Sequence, residues 1–179
     1  APADADEMKR LMPLTVDYKG PIYIRVAKGG DQILTNNKLP FKIGKAMHMR
    51  DGNDALIIST GITLKIAIDV ADKLRKEGME VGVLHMHTIK PLDKEAIVNY
   101  SSKVPIIISV EEHNVIGGLG SAVAEIIAET NFMDKKFFKR IGIPDVFPDG
   151  YGSQEELMKK YSITSENVIN TIKELRNNL

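Results

Sequence analysis

The sequence contains no cysteine at all. That excludes a disulfide framework and any thiolate metal site, and it fits a reducing, cytoplasmic compartment. It also lacks an excess of charge of either sign: 24 Lys and Arg stand against 24 Asp and Glu. A zero balance gives no electrostatic reason for nucleic acid or an anionic membrane to bind, and neither is expected as a partner. No apolar run approaches the roughly 18 residues needed to span a membrane. The opening ten residues are polar and mixed in charge, so a signal peptide is not expected there. The chain opens without Met, inside a helix-forming stretch. An initiator Met removed or a piece of a longer chain would each account for that. Internal repeats and low-complexity tracts are missing too.

What is present is an ordinary soluble composition. Apolar residues make up 43% of 179 residues, enough for the core of one α/β domain plus a short extra segment. Asp4 to Leu14 carries apolar residues at roughly helical spacing, with Pro13 obscuring where the helix ends. Pro21 to Ala27 (PIYIRVA) reads as a buried strand. Lys28 to Pro40, with Gly-Gly, Asn-Asn and Pro, reads as a linker. Beyond it, Phe41 to Met49, a turn at Asp51-Gly52 and a strand from Asp54 to Ser59 predict a β-hairpin. Thr63 to Glu77 is an amphipathic helix with Leu64, Ala67, Ile68, Ala71 and Leu74 inward. Strands follow at Glu80 to His85, Pro105 to Val110 and Phe138 to Ile143. Helices are expected from Asp93 as N-cap to about Tyr100, from Gly120 to Thr130, from the Ser153/Glu156 capping box to about Lys160, and from Ser165 to Asn177. Strands alternating with helices predict a three-layer α/β sandwich, its sheet mostly parallel with one antiparallel strand.

Several short patterns could carry chemistry. Ile116 to Ala122 (IGGLGSA) follows a strand and opens a helix, as a phosphate cradle does. No acidic residue follows at the ribose position and there is no Gly-Lys-Ser/Thr, so close helix packing on glycine is the preferred reading. Glu111-Glu112-His113 ends the preceding strand, at the sheet edge where ligands bind; acid–base work competes there with solvated or interface groups. His85 and His87 alternate onto one side of a strand, a metal-like pair without an apparent third ligand. His48 stands alone. Arg25 closes an apolar strand, where a guanidinium suits either a sugar phosphate or a salt bridge. Asp51-Gly52-Asn53 is read as a turn and not as a metal loop.

Taken in order, Gly20 to Arg25 (GPIYIR), Phe41 to Ala46 (FKIGKA), Met86 to Asp93 (MHTIKPLD), Val110 to Ala122 (VEEHNVIGGLGSA) and Arg140 to Ile143 (RIGI) resemble the C-terminal section of transketolases. The similarity is greatest to two-subunit or split forms. The wider superfamily, with deoxyxylulose-phosphate synthases and 2-oxo-acid dehydrogenase β subunits, shares the more specific of these motifs. The resemblance implies that residues 1–30 are the tail of a pyrimidine-binding domain, 31–40 a linker and 41–179 a transketolase C-terminal domain. It implies an intact enzyme that moves a two-carbon ketol unit between sugar phosphates using thiamine diphosphate and Mg. It further implies that the cofactor, metal and catalytic groups lie upstream of Ala1, so this chain alone is structural and inactive and binds no cofactor. Arg25 falls at the family's substrate-phosphate arginine, with Glu112 and His113 as near-site or inter-subunit residues. A homodimer and an N-terminal thiamine-diphosphate-binding part are the expected partners. Two departures from the pattern are Tyr161-Ser162-Ile163, where the family has Tyr-Gly-Leu, and a long stretch from Pro144 to Gly152. The rival readings are a β subunit docking on an acyltransferase core, a deoxyxylulose-phosphate synthase domain, and a free-standing nucleotide-binding domain using Gly118 to Ser121.

Overall fold

A computed structural model describes the whole chain except residues 29, 31, 37 and 38. Gly29 and Asn37 of the linker's Gly-Gly and Asn-Asn pairs therefore lie outside the described residues. The order of elements is α1 (Ala5–Val16), β1 (Met47–Arg50), β2 (Ala55–Ser59), α2 (Leu64–Lys76), β3 (Val81–His85), α3 (Lys94–Ser101), β4 (Ile106–Asn114), α4 (Leu119–Glu129), β5 (Phe137–Ile143), α5 (Gln154–Lys160) and α6 (Ser165–Arg176), with a 3-10 turn at Gly61–Thr63 before α2.

Five strands form one sheet in the order β1-β3-β2-β4-β5. β2, β3, β4 and β5 run parallel and β1 is antiparallel to β3. The central strands are apolar on both faces, which a sheet covered on both sides requires. Their alternation sorts the core into two layers. Ala55, Ile57, Val81, Val83, Ile106 and Ile108 face one way, onto Leu64, Ala67, Val70, Ala71 and Leu74 of α2 and Val168 and Ile172 of α6. Leu56, Ile58, Leu84 and Ile107 face the other way, onto Ile97 of α3 and Leu119, Val123 and Ile126 of α4. The expected sandwich is the observed one.

Two expectations are overturned. The predicted hairpin does not form: β1 pairs with β3 and not with β2. β2 has β3 on one side and β4 on the other, so both of its hydrogen-bonding edges are taken and the free edge belongs to β3. The Asp51-Gly52 pair is a crossing over the start of β3, where a Cβ on Gly52 would lie 2.1 Å from the Gly82 nitrogen. Glycine is needed there for close backbone approach, not for a tight turn. Residues 21–27 are not a strand. Their apolar pattern has no neighbouring edge to pair with, and Tyr23 is 87% exposed. A strand's stability comes from its neighbours, and this segment has none among the described residues.

The first segment is nonetheless tied to the domain. Asp4 caps α1 by accepting from the Glu7 N–H (2.9 Å). Its carboxylate also accepts from the Leu34 and Thr35 N–H groups, each at 2.8 Å, and from the Thr35 hydroxyl. One buried carboxylate thus joins α1 to the middle of the linker.

Candidate functional site

The parallel strands β2, β3 and β4 all end at one edge of the sheet, so Thr60, His87, Thr88, Glu111 and His113 gather there by topology alone. Ligands of open α/β sheets bind at this edge. A cavity of about 800 Å³ lies against it, lined also by Tyr18 and Pro21 to Arg25 of the first segment and by Phe41, Lys90 and Pro91. The Lys90–Pro91 peptide is cis.

The glycine-rich turn at this edge is already served by the chain itself. Glu111, 1% exposed, points its carboxylate at the start of α4. There it accepts from the Leu119 N–H (2.7 Å) and the Gly120 N–H (2.8 Å). The first N–H groups of a helix have no partner within it, and an anion satisfies them. Burial raises the Glu111 pKa, against the pull of those two N–H groups. A Cβ on Gly118 would stand 2.0 Å from a Glu111 oxygen, and one on Gly120 2.7 Å from the Ser109 hydroxyl. The glycines make room for an internal carboxylate and for close helix packing. The donors a nucleotide phosphate would use are taken.

Beside the cavity lies a second buried cluster. His85 Nε2 sits 3.2 Å from a Glu7 carboxylate oxygen, with both side chains fully buried. His85 Nδ1 faces the Ser59 hydroxyl at 3.3 Å, and the Ala3 N–H donates to Glu7 at 2.5 Å. Burial opposes the charge on Glu7, but the charge and hydrogen bond of His85 and the Ala3 N–H outweigh it and its pKa is lowered. The order serine, histidine, glutamate is that of a nucleophilic relay, but no substrate reaches fully buried groups. Here it docks α1 onto the end of β3. His87 stacks on Phe41, ring centroids 4.2 Å apart, and shares a hydrogen bond between Nδ1 and the Thr88 hydroxyl (2.9 Å). Its Nε2 is buried and has no hydrogen-bond partner among the described residues. Burial pushes its pKa down to about 4, only partly offset by Glu7.

The structure gathers most of the residues singled out in the sequence. Arg25 lines the cavity and its Nη2 stands 3.6 Å from Glu112 Oε2. Glu112 Oε1 accepts from Gln154 Nε2 at 2.9 Å. His113 lines the same cavity, exposed, with Nδ1 3.0 Å from the Asn114 carbonyl. His85 and His87 face a common side as expected, ring centroids 6.4 Å apart. Among the described residues, however, no group of three or more His, Cys, Asp or Glu is arranged to hold a metal. Sequence reasoning missed Glu7, because its partner lies 78 positions away and no local signal links them.

Comparison with known proteins decides the family. Residues 44–168 match the model of the transketolase C-terminal domain. The chain belongs to the transketolase C-terminal domain family. A transketolase family protein of Sinorhizobium fredii is 37% identical over 175 residues, covering 97% of this chain and 50% of that protein. A Methanocaldococcus jannaschii protein described as a transketolase C-terminal section is 38% identical over 176 residues, 97% of this chain and 54% of that one. A 1-deoxy-D-xylulose-5-phosphate synthase of Heliobacterium modesticaldum is 34% identical over 98% of this chain but only 27% of its own length. Among solved structures, one titled as a split gene transketolase in an inactive β4 tetramer superposes with a TM-score of 0.87 at 31% identity, over 97% of this chain and 55% of that one. The chain thus spans about half the length of the transketolase relatives it matches. The matched residues 44–168 span the sheet from β1 to β5 and take in Lys90, Pro91, Glu111 and the glycine-rich turn.

Proposed function

We propose that this chain is the C-terminal section of a transketolase, and that the intact enzyme transfers a two-carbon ketol unit between sugar phosphates. The observation that carries the reading is the match over 97% of this chain to a split gene transketolase that is itself about twice as long. In this reading thiamine diphosphate and Mg²⁺ are held by an N-terminal part, as a separate subunit or an upstream stretch. The residues present here do not fit the cofactor's diphosphate. The helix terminus that could cradle it is filled by Glu111, and the described residues offer no carboxylate or imidazole set for its metal. The cofactor supplies the covalent chemistry elsewhere. This chain contributes a wall of the site, a substrate contact and subunit contacts.

The substrate contact is Arg25. Its guanidinium faces a cavity at the carboxyl edge of the sheet, and its fork of donors matches phosphate oxygens. A charge-assisted contact of this kind is worth about 1.5–3 kcal/mol. In the intact enzyme, Arg25→Ala is expected to raise KM for a phosphorylated ketose donor roughly 10- to 100-fold. KM for a donor lacking phosphate should move little. Steady-state kinetics with both donors checks this, and an unchanged KM for the phosphorylated donor removes Arg25 from the role. Failure of the assembled parts to transfer a ketol unit to any aldose phosphate would overturn the wider reading.

A further inference from the structure

Arg25 reaches the cavity from residues 21–27, a segment paired with no strand, so no backbone ladder fixes where its guanidinium points. One side-chain contact does so. Nη2 lies 3.6 Å from Glu112 Oε2, and no other acceptor among the described residues takes the remaining N–H groups. Glu112 is in turn held from two sides. Its backbone belongs to β4, and its other oxygen accepts from Gln154 Nε2 at 2.9 Å. Gln154 is the first residue of α5, whose start is fixed by the reciprocal Ser153/Glu156 cap. A rigid strand and a capped helix therefore converge, through two side chains, on one guanidinium.

We propose that Glu112 is a positioning residue: it docks one edge of the Arg25 guanidinium so that the opposite edge faces the cavity and receives the substrate's phosphate, with Gln154 holding Glu112 in place. The proposal rests on the reading of Arg25 as the phosphate contact. Guanidinium has five N–H donors in a fixed plane, enough for a carboxylate on one edge and a phosphate on another. A half-exposed pair at this distance is weak in itself, so the effect of Glu112 is on orientation more than on stability. Its negative charge also repels phosphate, and the two effects have opposite signs on KM. The measurement therefore decides between them.

Two experiments test it. In this chain, ¹⁵N-detected side-chain resonances of Arg25 report whether the guanidinium is anchored. Glu112→Ala should collapse them to the averaged signal of a free arginine, Gln154→Ala should shift them part of the way, and Glu112→Asp should retain some anchoring. Arg25 signals unchanged in Glu112→Ala would overturn the proposal whatever the enzyme does. In the intact enzyme, Glu112→Ala should raise KM for a phosphorylated donor three- to ten-fold, with Glu112→Asp between it and the parent and KM for a non-phosphorylated donor shifted much less. A fall in KM means that the carboxylate competes with phosphate, and equal losses with both donors mean a structural role; either result overturns the proposal. If Arg25→Ala leaves KM for the phosphorylated donor unchanged, the phosphate assignment fails, and the positioning role fails with it even where the resonances show anchoring.

Discussion

His87 is a neutral imidazole at ordinary pH because burial keeps it so. Its pKa is pushed from the usual 6.5 down to about 4, so between those values the unfolded chain binds a proton that the folded chain refuses. Stability is then full above about pH 6.5 and falls as the pH drops toward 4. Glu7 has a lowered pKa and acts in the same direction, its contribution being lost as the pH falls below the ordinary glutamate value. Urea midpoints measured from pH 7 to 4 should show a loss of order 2–3 kcal/mol from His87, and His87→Gln should flatten much of that slope. A profile in the variant as steep as the parent's would show that another group carries the acid sensitivity. At this scale the sequence was legible where the partner is near. Asp93 accepts from Ala96 N–H, three positions on, as an N-cap should. For Glu111 the sequence offers acid–base work or a solvated or interface group, and not a helix cap, because its two backbone donors, eight and nine positions away, come within reach only when β4 and α4 pack. Arg25 and Glu112 were picked out separately, and nothing in the chain between them signals that they meet.

The elements themselves were well marked. Apolar runs gave β2, β3, β4 and β5, and capping residues gave the starts of α3 and α5. Pairing was not marked, since which strand lies beside which is settled by distant helices competing for the sheet's faces. The α5–α6 connection shows a departure with a physical cost. Ser162, where the resemblance implies glycine, is the one non-glycine residue with a positive φ (58°) among the described residues. It closes α5 with a left-handed cap. Ile163 N–H reaches back to the Met158 carbonyl at 2.8 Å and Ser162 N–H to Lys159 at 3.0 Å, and Ile163 is buried. That is the geometry for which glycine is favoured. A side chain in this conformation costs roughly 1 kcal/mol. Ser162→Gly is therefore expected to raise stability by about 0.5–1 kcal/mol, a gain of a few degrees in Tm by calorimetry. A loss would mean that the hydroxyl makes a contact that outweighs the strain.

For the whole molecule, the core fills both faces of the sheet, while among the described residues the first segment carries exposed large apolar groups. Tyr23 is 87%, Val16 81% and Val26 62% exposed. Large apolar groups exposed along one segment are what an interface would cover. Relatives about twice as long have chain available to cover such a surface, and in isolation a second copy is the available cover. Sedimentation equilibrium should find this chain as a homodimer at micromolar concentration, and Tyr23→Lys with Val26→Lys should shift it toward monomer. A parent that stays monomeric throughout the accessible range would refute the self-association.

The Glu111 carboxylate at the head of α4 has a consequence for how this domain senses its surroundings. A domain that leaves its glycine-rich turn open draws part of its stability from whichever phosphorylated metabolite occupies it, and so its persistence follows the concentration of that metabolite. Here the anion is supplied in cis, at unit occupancy. Formation of this helix terminus is written into the polypeptide and uncoupled from the supply of nucleotides; with Arg25 as the proposed phosphate contact, substrate dependence falls to that side of the cavity.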